Sequence, residues 1–595
     1  MKELKSLNKF LLRYKWRLTL GVFFIICANW FNLYPAQIFR NAIDTVIDTI
    51  NDQKINTQSK LQPEIFDDLT RALLIFAGLL LTVALIKGVF TFLMRYTIIM
   101  VSRFIEFDLK NEIYHHYQKL DTSFYKENKT GDIMNRIGDD VSKVRMYLGP
   151  SIMYLINLIV LFTLVITTMV NINAELSLYI LLPLPVLSIT IYYVSRLINI
   201  KSERVQRQLS KLFNLSQETF TGIRVIKAYN KSNSTIKNFN QESEKYRSIA
   251  MNLVTTESLF YPVILFLPVL STLITIYVGG LEVIKGTITY GNIGEFVIYI
   301  NLLTWPVASL GWVTSLIQRA AASQRRINEF LLTEPKIKNQ SEAPTRIKGA
   351  IEFKNVQFTY PESGIEALKG VSFSVEPGQT LAIVGKTGSG KSTIVQLLNR
   401  LYDATLGEVL IDNISIQRIN LNELRSQTGC VPQDVFLFSD SVKNNISFGT
   451  FGNNGNSKIE DIEWAAKQAV VHENIKQFYK GYETVVGERG VTLSGGQKQR
   501  VSIARALLKN PQILLFDDCM SAIDTETEEK ILSNLNYIMK NKTTIIVSHR
   551  ISSIKNADHI IMIENGKIIE EGNHQELIHR KGEYENLYQK QLVED

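Results

Sequence analysis

The sequence predicts a six-span α-helical transmembrane domain followed by an α/β domain. Three observations predict it. Six long apolar runs fill the first half of the 595 residues. Lysine and arginine collect on one side of those runs. After residue 349, short apolar segments alternate with helical patterns and glycine turns, as in an α/β domain with a mostly parallel sheet.

A spanning helix needs roughly 20 mostly apolar residues. The runs Leu18–Phe39, Ala72–Val101, Ser151–Val170, Leu176–Leu197, Leu259–Val278 and Ile293–Ile317 meet that need. Each is far longer than a buried strand and more uniformly apolar than a soluble core helix. Basic residues set the orientation. Lys2, Lys5, Lys9, Arg13, Lys15 and Arg17 precede the first run and place the amino terminus in the cytoplasm. The stretch after that run carries Asp44, Asp48, Asp52, Glu64, Asp67 and Asp68 against only Lys54 and Lys60, which suits the outside. The turns near 171–174 and 279–292 hold between them only Lys285, and also suit the outside. The basic stretches 103–149 and 196–258 then project into the cytoplasm. Six crossings return the carboxy-terminal half to the cytoplasm as well.

The projections read as helical extensions of the spans, over Arg103–Leu120 and Lys201–Gln217. Short tip segments at Asp121–Asn128 and Thr219–Asn230 are placed to dock on the second domain. Lys87 and Arg95 lie inside the second run; Arg95 is placed to snorkel and Lys87 to face a water-filled cavity, and neither names a cargo. Residues 1–331 form the membrane domain, 332–349 a linker with Pro335 and Pro344, and 350–595 the second domain.

The net charge of +8 does not point to nucleic acid, because much of it flanks the apolar runs, where it orients membrane helices. Cys27, Cys430 and Cys519 show neither metal-ligand nor disulfide spacing. No cleavable signal peptide is evident, because the first run is long enough to span and others follow it.

The strongest chemical signal is Gly385, Lys386, Thr387, Gly388, Ser389, Gly390, Lys391 and Ser392, with Thr393 next. The run follows the strand-like Thr380–Val384 and opens a helix, the context a phosphate-binding loop requires. Backbone N–H groups cradle phosphate oxygens. Lys391 neutralises β/γ charge, and the Ser392 hydroxyl ligates Mg²⁺. ATP and Mg²⁺ are the expected ligands. Downstream, Ile513–Asp517 reads as a buried strand ending in a carboxylate at the ligand-binding edge of the sheet, which makes Asp517 the second Mg²⁺ candidate. Between them lie Ser494, Gly495, Gly496 and Gln497, followed by a helical pattern.

With these motifs on one chain, the sequence resembles a half-transporter of the ATP-binding cassette (ABC) exporter family over essentially its whole length. Ser494–Gln497 matches the family's signature motif. The resemblance implies further roles. Tyr360 is similar to the aromatic residue that stacks on adenine. Gln433 resembles the glutamine that senses Mg²⁺ and the attacking water and contacts the membrane domain. Gly487–Gly490 resembles the segment that touches the cytoplasmic projections, and Ser521–Asp524 the dimer-interface loop. His549 resembles the switch histidine near the γ-phosphate. Thr130–Arg136 resembles a recurrent stretch of the first projection.

One residue departs from the family pattern. The position after the Mg²⁺ aspartate usually holds a glutamate that polarises water, and here it is Asp518. Its side chain is shorter by about 1.5 Å, and a misplacement of about 1 Å can slow a reaction on the order of a hundredfold. The catalytic set Asp518, His549 and Gln433 is therefore expected to hydrolyse ATP slowly. An altered site beside an intact signature favours a heterodimer over a homodimer. The expected activity is ATP-driven export of a small amphipathic molecule, lipid or peptide. A regulatory ATP-binding subunit and an ATP-gated channel are the alternatives, and an importer fits the six-span arrangement less well. No peptidase domain is expected before the first span. The expected location is a bacterial inner (plasma) membrane.

Overall fold

The computed structural model describes residues 2–55, 63–450, 457–487, 490 and 492–594. Among them, six helices are long and apolar enough to cross a membrane: Lys15–Asn51, Asp67–Lys119, Thr130–Ile172, Ala174–Thr221, Ser232–Ile284 and Tyr290–Leu331. Each exceeds its apolar run because the charged extension continues the same helix. At 1.5 Å per residue, such helices are longer than the roughly 30 Å hydrocarbon core.

The chain divides into two compact units. The first comprises residues 1–117 and 131–333. Its apolar core includes Leu161, Val165, Met169, Leu176, Leu187, Phe296, Tyr299 and Leu303 from the third, fourth and sixth spans. The third span is not a regular α-helix. Arg136–Asp140 and Tyr147–Ser151 are π turns, and Pro150 lies in the second of them. A wider turn accommodates a residue that cannot donate a backbone hydrogen bond. The first π turn presents Asp140, which is buried and accepts from Ser323 Oγ (2.8 Å) and Arg326 Nε (3.0 Å) on the sixth span.

A second buried carboxylate joins the first and sixth spans. Glu295 is fully buried, and Arg40 Nη1 approaches its Oε2 at 3.2 Å. Tyr299 Oη donates to Glu295 Oε1 at 2.7 Å, and Asn292 Nδ2 to Oε2 at 3.2 Å. Arg40 is half-buried but Glu295 is fully buried, so removing Arg40 leaves a buried carboxylate without its counter-charge and costs up to about 3 kcal/mol. Arg40→Leu is expected to lower the thermal unfolding midpoint in detergent. Arg40→Leu with Glu295→Leu should recover part of that loss, because no charge is then stranded.

The second unit comprises residues 118–130 and 334–595. Its strands are β1 (Ile351–Thr359), β2 (Glu366–Val375), β3 (Thr380–Val384), β4 (Leu406–Ile411), β5 (Ile414–Ser415), β6 (Thr428–Val431), β7 (Ile513–Asp517), β8 (Thr543–Val547), β9 (His559–Glu564) and β10 (Lys567–Gly572). One sheet has the order β10-β9-β3-β8-β7-β6. All of its pairings are parallel except β9 with β10. β3, β7 and β8 are nearly continuous apolar runs because both faces of a parallel sheet are covered. The expected mostly parallel sheet is thus present. A second sheet, β2-β1-β4-β5, is antiparallel throughout. Its inner face packs Phe353 against Phe373, with ring centroids 4.5 Å apart.

Candidate functional site

Parallel pairing brings distant sequence together. Asp517 at the end of β7 lies beside Val547 at the end of β8, and Ile383 in β3 also pairs with Val547. The carboxyl ends of three strands therefore converge at one edge of the sheet, where ligands of open α/β sheets bind. A cavity of about 450 Å³ opens there. Its lining includes Tyr360, Thr387, Gly388, Gly390, Lys391, Ser392, Thr393, Gln433, Asp518 and His549.

The loop after β3 holds its shape through glycine. A Cβ on Gly385 would lie 2.1 Å from the Ile563 carbonyl oxygen. Gly390 has φ of +102°, and a Cβ there would lie 2.4 Å from the Ala367 carbonyl oxygen. Left-handed backbone and close approach together exclude a side chain. Gly390→Ala adds a strain of roughly 1–3 kcal/mol at the point where the loop enters helix Lys391–Leu398. It is expected to weaken ATP binding by at least about fivefold, the factor set by the lower strain figure, as read by calorimetric titration.

Lys391 is buried, and its ammonium donates to the Gly385 and Lys386 carbonyls at 2.8 Å each. Burial pushes it down to about 8, against the pull of Asp518 and Asp517. A desolvated cation whose only partners among the described residues are carbonyls is suited to an anion. Ser389 Oγ is also buried, with no hydrogen-bond partner among the described residues. Ser392 Oγ donates to Asp517 Oδ1 at 2.8 Å, so the hydroxyl and carboxylate that the sequence pairs as cation ligands are in contact. Burial raises the Asp517 carboxyl and the Asp518 charge adds to this, while Ser392 and Lys391 oppose it.

Asp518 has a left-handed backbone, with φ of +43°. Gln433 Nε2 donates to Asp518 Oδ2 at 3.2 Å. His549 lies beyond the end of β8. Burial and the Lys391 charge lower its affinity for protons below the ordinary imidazole range, against Asp518. Tyr360 follows β1, and its hydroxyl bonds Thr393 Oγ1 at 3.0 Å and Gln396 Oε1 at 3.1 Å. Lys386 turns away from the cavity to pair with Glu564 at 2.6 Å.

Ser494, Gly495, Gly496 and Gln497 are not among the residues lining this cavity. Ser494 caps helix Gly495–Leu508, and Ser494 and Gln497 bond each other's backbone N–H groups. The same helix holds the loop after Asp518, since Gln499 Oε1 accepts from Ala522 N at 3.2 Å. Of the segment 487–490, Glu488 and Arg489 lie outside the described residues.

Residues 18–307 match the ABC transporter transmembrane region, and residues 368–521 match the ABC transporter domain. The multidrug resistance-like ATP-binding protein MdlA of Escherichia coli (strain K12) is 33% identical over 98% of this chain and 95% of its own length. The chain belongs to the ABC exporter family. An ATP-dependent lipid A-core flippase of Syntrophus aciditrophicus (strain SB) is 36% identical over 87% of this chain and 85% of its own. Among solved structures, a bacterial Atm1-family ABC exporter with ATP bound superposes with a TM-score of 0.77 at 26% identity, covering 98% of this chain and 99% of that one.

The protein is an ATP-hydrolysing exporter with a multi-pass membrane domain and a cytoplasmic nucleotide-binding domain. Some cavity residues escaped the sequence reading. Ile365, Glu366, Ala367 and Lys369 enter from β2 or just before it, and Asn565 and Gly566 from the β9–β10 turn. Asn565-Gly566 between two apolar segments is a hairpin signal visible in sequence. That the β2 edge reaches the phosphate loop depends on how two sheets pack, and no local pattern carries it.

Proposed function

We propose that this exporter is one half of a heterodimer in a bacterial inner membrane, and that its own phosphate loop builds the slower of two ATP sites. One observation carries the reading: Asp518 stands where the family's glutamate would, while the signature residues are intact and lie outside the chain's own cavity. An intact signature is then free to complete the site of a partner chain. The second projection's tip supports a partner. Phe220 and Tyr229, which flank helix Ile223–Ala228, are each 74% exposed, and Val225 within it is 61% exposed.

The residues account for the chemistry. Tyr360 would stack on adenine. Lys391 would neutralise the β/γ-phosphates, and neutral His549 would donate to the γ-phosphate. Asp518, positioned by Gln433, would orient the attacking water. Mg²⁺ fits Ser392, Asp517 and Gln433, and would supply charge neutralisation on the phosphate oxygens. Among the described residues no three His, Cys, Asp or Glu side chains converge on a metal. Closure of two such domains drives the membrane domains only if ATP binds the closed state better than the open one. The names of the relatives, a multidrug resistance-like protein and a lipid flippase, agree with a small amphipathic molecule, lipid or peptide as cargo.

The test is purification of the chain alone and with candidate partner chains. Dimerisation, ATPase rate and ATP-dependent cargo accumulation in inverted vesicles would be measured for each. The expected result is slow turnover alone and fast turnover in a pair. A stable homodimer that turns over as fast as any pair ends the heterodimer reading. Currents without uphill accumulation would mean a channel. Normal transport by the pair after Lys391→Ala in this chain alone would mean a regulatory subunit.

A further inference from the structure

We propose that Lys126, on the tip helix of the first cytoplasmic projection, is a positioning residue for the adenine platform, so that base recognition and the placement of that tip are energetically linked. The proposal rests on the reading of Tyr360 as that platform.

The tip helix Thr122–Glu127 belongs to the same compact unit as the nucleotide-binding domain. Asp121 caps it, accepting from Phe124 N. The other carboxylate oxygen of Asp121 accepts from the Lys336 backbone N–H at 2.7 Å. Burial raises the Asp121 carboxyl, but bonds from Ser123, Lys336 and Phe124 outweigh it and hold the group below the usual carboxylate range. At the far end of the helix, Glu127 lies 3.7 Å from Lys336 Nζ. Both ends are therefore tied to the segment that leads into β1, the strand that delivers Tyr360.

Held in this way, the helix sets Lys126 Nζ 5.0 Å from the centroid of the Tyr360 ring and 5.1 Å from that of Tyr402. The two rings meet edge to face, 5.6 Å apart at 87°. A cation within about 6 Å of a ring face is attracted by the ring's quadrupole, and here one ammonium serves two perpendicular rings. Neither ring is free to swing. Tyr360 is anchored through its hydroxyl to Thr393 and Gln396, and Tyr402 donates to Glu362 at 2.7 Å. Tyr360 also lines the nucleotide cavity. Whatever fixes this ring preorganises a surface for a flat base, and preorganisation adds affinity by lowering the ordering cost on binding. Linkage is reciprocal: if Lys126 favours base binding, a bound base favours the tip position that presents Lys126. The first projection would thus report on adenine, separately from whatever senses the phosphates.

The experiment uses full-length protein in detergent, with binding of Mg·ATP and of Mg·tripolyphosphate measured for wild type, Lys126→Met and Lys126→Arg. A partly exposed cation–π contact corresponds to a change of about two- to fivefold. Lys126→Met is expected to weaken ATP binding by about that factor and to leave tripolyphosphate, which has no base, unchanged. Lys126→Arg should restore ATP binding, since guanidinium also packs on aromatic faces. Unchanged or tighter ATP binding in Lys126→Met overturns the proposal. So does an equal loss for both ligands, which would indicate general electrostatics or a disturbed fold. A wild-type chain that binds tripolyphosphate but shows no gain from the base would overturn the reading of Tyr360 itself, and one that binds neither ligand would overturn the ATP site.

Discussion

Lys391→Ala is expected to lower ATP hydrolysis at this chain's phosphate loop by at least about a hundredfold, the loss seen when a preorganised charge-stabilising donor is removed. The ammonium is buried, and among the described residues it bonds only the Gly385 and Lys386 carbonyls. Its charge therefore costs desolvation in the free protein, which is why it loses its proton more readily than an exposed lysine. That cost is recovered only when phosphate oxygens arrive. Alanine removes the cation without crowding the loop, because the lysine side chain lies in the cavity. The fold should persist, and a thermal midpoint no lower than that of wild type would show it. ATPase activity is best measured with the companion site inactivated, so that only this loop reports. A rate within about threefold of wild type would mean that the γ-phosphate does not settle where Lys391 lies, and the assignment of the loop would fail.

Asp518→Glu is expected to act in the opposite direction, raising turnover by about ten- to a hundredfold. Asp518 reaches Gln433 at 3.2 Å, so its carboxylate is held by a polar neighbour rather than left loose. It follows Asp517, which contacts Ser392 at 2.8 Å. The backbone therefore gives the two carboxylates different partners, Ser392 for Asp517 and Gln433 for Asp518. Restoring the missing methylene moves the second carboxylate outward by about 1.5 Å, and rates respond to misplacements of about 1 Å by roughly a hundredfold. The gain should appear in kcat with KM for ATP little changed, since the group acts on water and not on the bound nucleotide. An unchanged or lower kcat would show that this site is not limited by side-chain length, and the argument for unequal sites would lose its basis.

Much of the site could be read from residue order because its parts are local. The loop 385–392 carries its own glycines, lysine and serine, and Ser494 to Gln497 form a cap within one turn of helix. The spans are equally local, since twenty apolar residues need no distant partner to leave water. Other features are not local. The Ser392–Asp517 contact joins residues on β3's helix and at the end of β7, and the position of β8 between those strands decides it. The antiparallel sheet that brings Tyr360 and the β2 edge to the cavity has bulged strands, whose register shifts break the periodicity that would announce its neighbours. Lys126 is one exposed lysine among many until the tip helix is seen beside two tyrosines.

The sequence by itself determined that the chain crosses a membrane six times, binds nucleotide phosphates on the basic-flanked side, and bears Asp518 where the family it resembles usually has a glutamate. The first two follow from hydrophobic length, charge placement and the chemistry of the glycine-rich loop, each contained in a short stretch of chain, and the third from the family resemblance. Only the tertiary structure decided that Asp518, His549 and Gln433 share a cavity with the phosphate loop, that the signature residues lie outside it, and that the first projection's tip places a cation against the Tyr360 ring. Those are statements of strand order and packing, and they depend on which distant surfaces bury one another.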